Sequence, residues 1–268
     1  MKIALYTRYL SPTFHDELEQ LASALHRRDV ATVEVGNSLA ADGCDFFFSI
    51  GGDGTLLSAV HLIAGRPIPV VGINFGHLGF LTTVGREDFD QLVDDLLTGR
   101  YTVEPRTLLH VEVKGTPQLT SSALNEVSLH RIDDTNPLRT DLFVGDDFVA
   151  SYDGDGLLVA TPTGSTAYSL SCGGPILTPD SGCFVVTPIA VHNLSLRPII
   201  VPDNATLRLV TAPGSSVNLG TDSRHSTLPG GSEIVLTREP FTVSLVRLRD
   251  QNIFSAIQQK LNWGGGSR

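Results

Sequence analysis

The stretch Phe46-Phe47-Phe48-Ser49-Ile50-Gly51-Gly52-Asp53-Gly54-Thr55-Leu56-Leu57-Ser58-Ala59-Val60 reads as an apolar strand, a glycine turn around one carboxylate, and a helix. Glycines at a strand-to-helix turn let the backbone approach a ligand closely. The helix beyond offers free N–H groups and the positive end of its dipole, where phosphate binds. A carboxylate repels that phosphate unless it holds a metal ion or takes a proton from an attacking hydroxyl. Both are tasks of phosphoryl transfer. Asp53 is therefore the candidate catalytic residue. The plainer alternative is that it caps its helix, but Thr55 can serve as that cap.

Outward from this turn, strands and helices alternate. Ile3–Tyr6, Val30–Val35 and Pro69–Ile73 are strand-like. Leu18, Leu21, Ala22 and Leu25 line one face of a helix, and Phe89, Leu92, Val93, Leu96 and Leu97 line another that Gly99 ends. Leu56–Ala64 is helical, with Gly65 as its stop. The pattern predicts an α/β domain over residues 1–104 with a mainly parallel sheet. From Pro105 the character changes to short strands. They are Val111–Val113, Ala123–Leu129, Leu142–Val144, Phe148–Tyr152, Leu157–Ala160, Cys183–Val186, Leu207–Val210, Val217–Leu219, Ile234–Leu236 and Val243–Leu248. Turn residues such as Gly145-Asp146-Asp147 and Pro229-Gly230-Gly231 separate them. This predicts an all-β domain over 105–248, interrupted by one helix around Ser165–Ser171. A closing helix, Phe254–Leu261, within 249–268, is free to pack back on the first domain. The Gly264–Arg268 tail reads as a flexible end.

A formal net charge of −10 argues against a broad nucleic-acid or anionic-membrane surface. Cys44, Cys172 and Cys183 show no metal-ligand spacing. An odd cysteine count and no signal peptide suggest a reducing, cytoplasmic setting. No apolar run approaches the ~20 residues of a membrane span.

Three further segments carry more Gly, Asn, Thr and Asp than connectors need. Gly72-Ile73-Asn74-Phe75-Gly76-His77-Leu78-Gly79-Phe80-Leu81 follows a strand, at the sheet edge where open α/β folds bind ligands. Asn74 and His77 either meet the ligand there or brace the turn. Asn125-Glu126 sits between apolar Leu124 and Val127. Asp153-Gly154-Asp155-Gly156 leads into Thr161-Pro162-Thr163-Gly164-Ser165-Thr166-Ala167-Tyr168-Ser169. Asp155 suits a ribose diol or a ring amine. Thr163, Ser165 and Thr166 suit phosphate or a helix cap, and Tyr168 offers a flat face for a ring. The competing reading is an exposed turn before a helix. The P-loop, the Gly-x-Gly-x-x-Gly fingerprint, the Gly-x-Ser-x-Gly elbow and His-Glu-x-x-His are all absent.

Together these blocks resemble the NAD kinase family of bacterial type. The match runs in order through Gly51–Thr55, Gly72–Leu81, Asn125-Glu126 and Gly154 to Tyr168, then Gly173-Gly174-Pro175, Ser195-Leu196-Arg197-Pro198 and Lys260-Leu261-Asn262-Trp263. The resemblance implies a Rossmann-like α/β domain followed by a β-sandwich. It implies phosphorylation of the 2′-hydroxyl of the adenosine ribose of NAD by ATP and a divalent metal ion, most simply Mg²⁺. It also implies a homodimer or homotetramer. It maps the catalytic base onto Asp53, nucleotide contacts onto Asn125 and Glu126, and an NAD contact onto Asp155. Thr163 and the run Thr166, Ala167, Tyr168, Ser169, Leu170 and Ser171 would line the NAD pocket. Gly52, Gly54, Thr55 and Asn74 complete the expected nucleotide-binding set; no residue is assigned as a metal ligand. Two positions depart from the family pattern. Asp153 stands where relatives carry basic or neutral residues, and Asp222-Ser223-Arg224 replaces Asp-Gly-Gln.

Two rival functions remain at this level. A diacylglycerol-type lipid kinase shares the Asp53 turn but does not need the Asn125-Glu126 and Thr161–Tyr168 blocks. A nucleotide sensor without turnover gains little from a carboxylate facing phosphates.

Overall fold

A computed structural model describes residues 1–263 except 9–13, 37–40, 64, 77–78, 86–87, 117–118, 133–135, 215 and 249–250. Ala64, His77, Leu78 and the Gly264–Arg268 tail, all part of the sequence reading, lie outside the described residues. The chain forms two compact units, Met1–Pro105 with Val243–Arg268, and Arg106–Thr242.

The first unit is built on a parallel sheet. Strands β1 (Lys2–Thr7), β2 (Ala31–Glu34), β3 (Phe46–Ile50) and β4 (Val70–Ile73) lie in the order β2-β1-β3-β4. The last residues of the chain's final strand run parallel to β4, with Leu245 opposite Val70. β3 is buried at every position, as a strand covered on both faces must be. Helices α1 (His15–His26), α2 (Asp53–Ile63) and α3 (Phe89–Thr98) accompany the sheet. Leu21 and Leu25 of α1 and Leu92, Val93 and Leu96 of α3 share a core with Phe46, Phe48 and Val71. Arg28, just past the end of α1, pairs with Asp90 and Asp94 of α3 at that core's rim. Gly99 ends α3 in the left-handed conformation that favours glycine, as its position predicts. The strand order reverses direction between β1 and β3, which marks the carboxyl end of β3 as a ligand-binding edge.

The second unit is a two-sheet sandwich. Its strands are β5 (Tyr101–Val113, which enters from the first unit), β6 (Thr120–Ala123), β7 (Glu126–Arg131), β8 (Leu138–Val144), β9 (Asp147–Gly154), β10 (Gly156–Ala160), β11 (Cys183–Ile189), β12 (Ile199–Pro202), β13 (Leu207–Thr211), β14 (Val217–Thr221), β15 (Arg224–Leu228) and β16 (Glu233–Leu248, which leaves toward the first unit). One sheet runs β16-β13-β8-β9, with β5 beside β16 and β6 beside β5; the other runs β12-β11-β10-β7-β14-β15. Alternate residues meet between them: Leu109 and Val111, Val127 and Leu129, Leu157 and Val159, Leu207 and Leu209. β10 is apolar throughout because its other face is covered as well. There Leu158 and Ala160 pack with Leu177 and Val185.

The sequence reading needs four corrections here. Ala123–Leu129 is not one strand; it breaks at Leu124-Asn125, where the backbone turns its N–H groups to a side chain. Ile234–Leu236 and Val243–Leu248 are one strand, β16, running through Pro240. β12 and β15 are absent from the sequence reading; Pro198 precedes the first and Pro202 is its last residue, and the second is polar and mostly exposed. The helix at Ser165–Ser171 is a 3-10 turn, Gly164–Thr166, followed by the four-residue α4 (Tyr168–Ser171). The closing helix is α5 (Ile253–Leu261), capped reciprocally by Asn252 and Ser255.

Candidate active site

Asp53 stands at the first position of α2, directly past the carboxyl end of β3. Its carboxylate does not cap α2, and neither does Thr55, which lies inside the helix; the Gly52 carbonyl accepts from Thr55 and Leu56 N–H instead. The predicted Thr55 cap is therefore corrected: the helix starts at Asp53, three residues before the Leu56 that its apolar pattern suggests. Gly51 has φ +142°, and any side chain there would strike Thr55.

The Asp53 carboxylate turns to the loop after β4. Oδ1 accepts from Leu81 N–H (3.2 Å), Thr82 N–H (3.0 Å) and Thr82 Oγ1 (2.8 Å); among the described residues Oδ2 accepts only from Phe80 N–H (2.9 Å). Three donors saturate Oδ1, so Oδ2 is the oxygen with capacity left for a further donor. Gly79 permits this approach, since a Cβ there would lie 1.9 Å from Oδ1. Asn74 braces the same turn: its Oδ1 accepts from Gly76 N–H and its Nδ2 donates to Thr82 Oγ1 at 3.4 Å. Asn74 thus reaches Asp53 through the Thr82 hydroxyl. Thr82 lies one residue beyond the glycine-rich block Gly72–Leu81, so the sequence reading does not include it.

In the second unit the Asn125-Glu126 and Gly154–Ser171 segments come together. Asn125 is buried at the break between β6 and β7; its carbonyl accepts from Thr161 N–H (2.9 Å). Gly164 packs against that peptide so closely that a Cβ would lie 2.1 Å from the Asn125 oxygen. Asp222, with φ +51°, accepts from the N–H groups of Leu124 (2.8 Å), Asn125 (2.9 Å) and Glu126 (3.1 Å). It clamps the backbone that carries Glu126. The sequence marks Asp222-Ser223-Arg224 only as a departure from the family's Asp-Gly-Gln and does not reveal this clamp.

Glu126 is a strongly perturbed carboxyl of this unit. Burial, then the neighbouring Asp222 charge, push it up to about 7, against a hydrogen bond from Tyr168 N–H. Its Oε2 is buried and has no hydrogen-bond partner among the described residues. Burying an unsatisfied carboxylate oxygen is costly, so a ligand donor is the natural partner. Tyr168 stacks on His130 with ring centroids 5.6 Å apart and planes 20° apart. Burial and the adjacent His225 hold His130 below the usual histidine range, opposed by Asp155. Asp155 lies alone between β9 and β10, and its Oδ1 pairs with Arg131 Nε at 2.7 Å. His130 and Arg131 have no motif around them; only the β7–β10 register, with His130 opposite Gly156, brings them here.

The remaining expected residues divide by environment. Thr163 Oγ1 accepts from buried Arg106 (3.3 Å), and Thr166 Oγ1 donates to the Thr163 carbonyl. Ser169 is fully buried with its hydroxyl paired to Thr187 (2.8 Å), and Ser165 is fully buried between the Pro162 carbonyl and Leu177 N–H. Ala167 and Leu170 are half-buried, while Tyr168 and Ser171 are exposed. Arg197 donates to the Leu194 and Leu196 carbonyls of its own turn. Among the described residues no group of three or more His, Cys, Asp or Glu side chains could hold a metal ion. No helix among them is long and apolar enough to cross a membrane.

The ATP-NAD kinase N-terminal domain model matches residues 7–101, and the ATP-NAD kinase C-terminal domain model matches residues 124–248. A NAD kinase of Christiangramia forsetii is 34% identical over 293 aligned positions, covering all of both chains. A NAD kinase of Porphyromonas gingivalis is 43% identical over 84% of this chain and 78% of its own. The fold matches a yeast NADH kinase complexed with NADH, with TM-score 0.88 at 23% identity over 100% of this chain and 89% of that one. It also matches an Archaeoglobus fulgidus NAD kinase in complex with ATP, with TM-score 0.81 at 25% identity over 98% and 99%. On two domain models that span most of its length and relatives matched nearly end to end, the chain belongs to the NAD kinase family.

Proposed function

We propose that Asp53 Oδ2 accepts the proton of the adenosine-ribose 2′-hydroxyl as that oxygen attacks the γ-phosphorus of ATP. The reaction itself, ATP-dependent phosphorylation of NAD, follows from the family. The observation that carries the finer assignment is the unequal bonding of one carboxylate, with three donors on Oδ1 and one on Oδ2. The fixed plane leaves one lone pair free to receive a proton. A ribose hydroxyl is a poor nucleophile, so positioning supplies most of the acceleration. Proton transfer comes late, as the bond to phosphorus forms.

In the second unit, Glu126 Oε2 accepts from a nucleotide hydroxyl, Asp155 contacts the NAD, and the exposed part of Tyr168 covers a ring. Ser169 supports the pocket wall through Thr187. Among the described residues the side chains offer no cluster of three or more His, Cys, Asp or Glu for a metal ion. A Mg²⁺ ion is therefore assigned to the ATP phosphates as part of the donor substrate, where it would offset their charge. The lipid-kinase alternative shares the Asp53 turn, but the domain matched over 124–248 is that of ATP-NAD kinases. A cytoplasmic homodimer or homotetramer completes the proposal.

The test is NADP formation from NAD, ATP and Mg²⁺ by wild type and by Asp53→Asn. A folded Asp53→Asn protein should lose on the order of 10²–10⁴-fold in kcat. Wild-type turnover by that variant would remove Asp53 from the chemistry.

A further inference from the structure

The loop that holds Asp53 is itself held from behind. Within the first unit, Arg247 is buried in the last strand; its Nε donates to Glu104 Oε2 (3.0 Å) and its Nη2 to the Phe80 carbonyl (3.2 Å). The Phe80 carbonyl and the Leu81 N–H belong to one planar peptide. One end of that peptide receives Arg247, and the other donates to Asp53 Oδ1. A rotation that freed the carbonyl would swing the N–H away from the carboxylate. Gln251 adds a second fastening. Its Nε2 donates to the Thr83 carbonyl (2.9 Å), and its Oε1 accepts from Thr83 Oγ1 (2.7 Å) and Leu248 N–H (3.3 Å). The neighbouring Thr82 supplies two of the four donors on Asp53.

We propose that Arg247 and Gln251 are positioning residues for the reaction: they fasten the Phe80–Thr83 backbone so that its donors aim Asp53 Oδ2 at the substrate hydroxyl. The proposal rests on the reading of Asp53 as proton acceptor. Neither residue touches the Asp53 carboxylate, so both act through the peptide planes between. Hydrogen bonds in series polarise one another, so a guanidinium on the carbonyl also strengthens the N–H donor at the far end of that peptide. Arg247 and Gln251 therefore belong to the catalytic apparatus of the first unit, although neither lies in one of the blocks that carry the family resemblance.

The experiment compares Arg247→Lys, Gln251→Ala and Thr82→Val, singly and paired, in the full chain. Lysine keeps the charge beside Glu104 but lacks the planar fork that serves two acceptors. Gln251 is only half-buried, so its truncation leaves the core intact. Each variant should fold and lose roughly tenfold in kcat, with KM for NAD and ATP within about twofold of wild type. Thr82→Val/Arg247→Lys should lose much less than the product of the two single losses, because both act through one carboxylate. Losses that multiply, or a kcat within twofold of wild type in folded Arg247→Lys and Gln251→Ala, would overturn the proposal. Asp53→Asn, assayed alone, separates the two failures. If it turns over like wild type, the proton-acceptor reading is wrong; if it is inactive while the fastening variants are normal, only the positioning role is wrong.

Discussion

Gly79→Ala should inactivate the enzyme with little loss of fold. A Cβ at this position would lie 1.9 Å from Asp53 Oδ1, 2.4 Å from its Cγ and 2.5 Å from Oδ2. Real Cβ contacts essentially never fall below 3.0 Å, so the carboxylate must retreat by about 1.1 Å. It cannot do so cheaply, because four donors fix it. Hydrogen bonds to a charged group contribute about 1.5–3 kcal/mol each, so breaking two costs several kcal/mol locally. The cheaper response moves the loop and the carboxylate together. A displacement of ~1 Å at a reacting group costs on the order of 10²-fold in rate. The assay is initial-rate NADP formation with NAD and ATP each varied, beside thermal unfolding followed by circular dichroism. The expected result is kcat lowered about 100-fold, KM for ATP little changed, and a folded protein. A kcat within threefold of wild type would show that the contact between Gly79 and Asp53 does not set the catalytic geometry.

Glu126→Gln should raise stability in a pH-dependent way. The Glu126 carboxyl is pushed up to about 7 from 4.5, so below pH 4.5 it is neutral in both states and the substitution changes little. Between pH 4.5 and about 7 the unfolded chain ionises first and the wild type loses stability, a loss on the order of 3 kcal/mol that is complete above pH 7. Denaturant melts at pH 5 and pH 8 check this; a difference that does not grow with pH would refute it. The same ionisation should tighten NAD binding as pH rises through about 7, and calorimetric titration of Glu126→Gln should lack that dependence. Asp222→Asn places an amide donor in the cluster of Leu124, Asn125 and Glu126 N–H donors, for a loss of about 1–3 kcal/mol in stability. It should raise KM for NAD more than it lowers kcat, and steady-state kinetics that show the reverse would contradict the clamp.

The parallel layer of the first unit was legible because its signals are local. Five consecutive buried residues in β3, a glycine turn and a helix with Gly99 at its end each announce themselves within a few residues. The sandwich was legible as a class but not strand by strand. β15 is mostly exposed, so its sequence lacks an apolar stripe, and β16 carries Pro240 in mid-course, which sequence rules place at a break. At the candidate site, Asp53, Asn125, Glu126 and Asp155 sit in glycine- and asparagine-rich breaks that any sequence reader would stop at. Asp222, Arg131 and Thr82 do not. Each is brought to its partner by sheet register or by a loop closing on itself. Asp222 bonds residues about a hundred positions away, and no window along the chain contains both ends of that contact.

The hydrogen-bond inventory separates these carboxylates by task better than their sequence contexts do. Asp222 offers both oxygens to three backbone donors, and burial pushes it up against their pull. A group so fully engaged inside the protein is a fastener. Asp155 spends one oxygen on Arg131 and stays half-exposed. Asp53 is engaged on one oxygen and nearly open on the other, which fixes its direction while leaving it a lone pair. Glu126 is the extreme case, with Oε2 buried and unpartnered. Folding alone selects against that arrangement, since the charged form loses its hydration and gains nothing in return. It persists where the missing donor arrives with a substrate. On the proposed reading, each unit thus keeps one carboxylate oxygen with acceptor capacity for a ligand hydroxyl, Asp53 Oδ2 in the first and Glu126 Oε2 in the second.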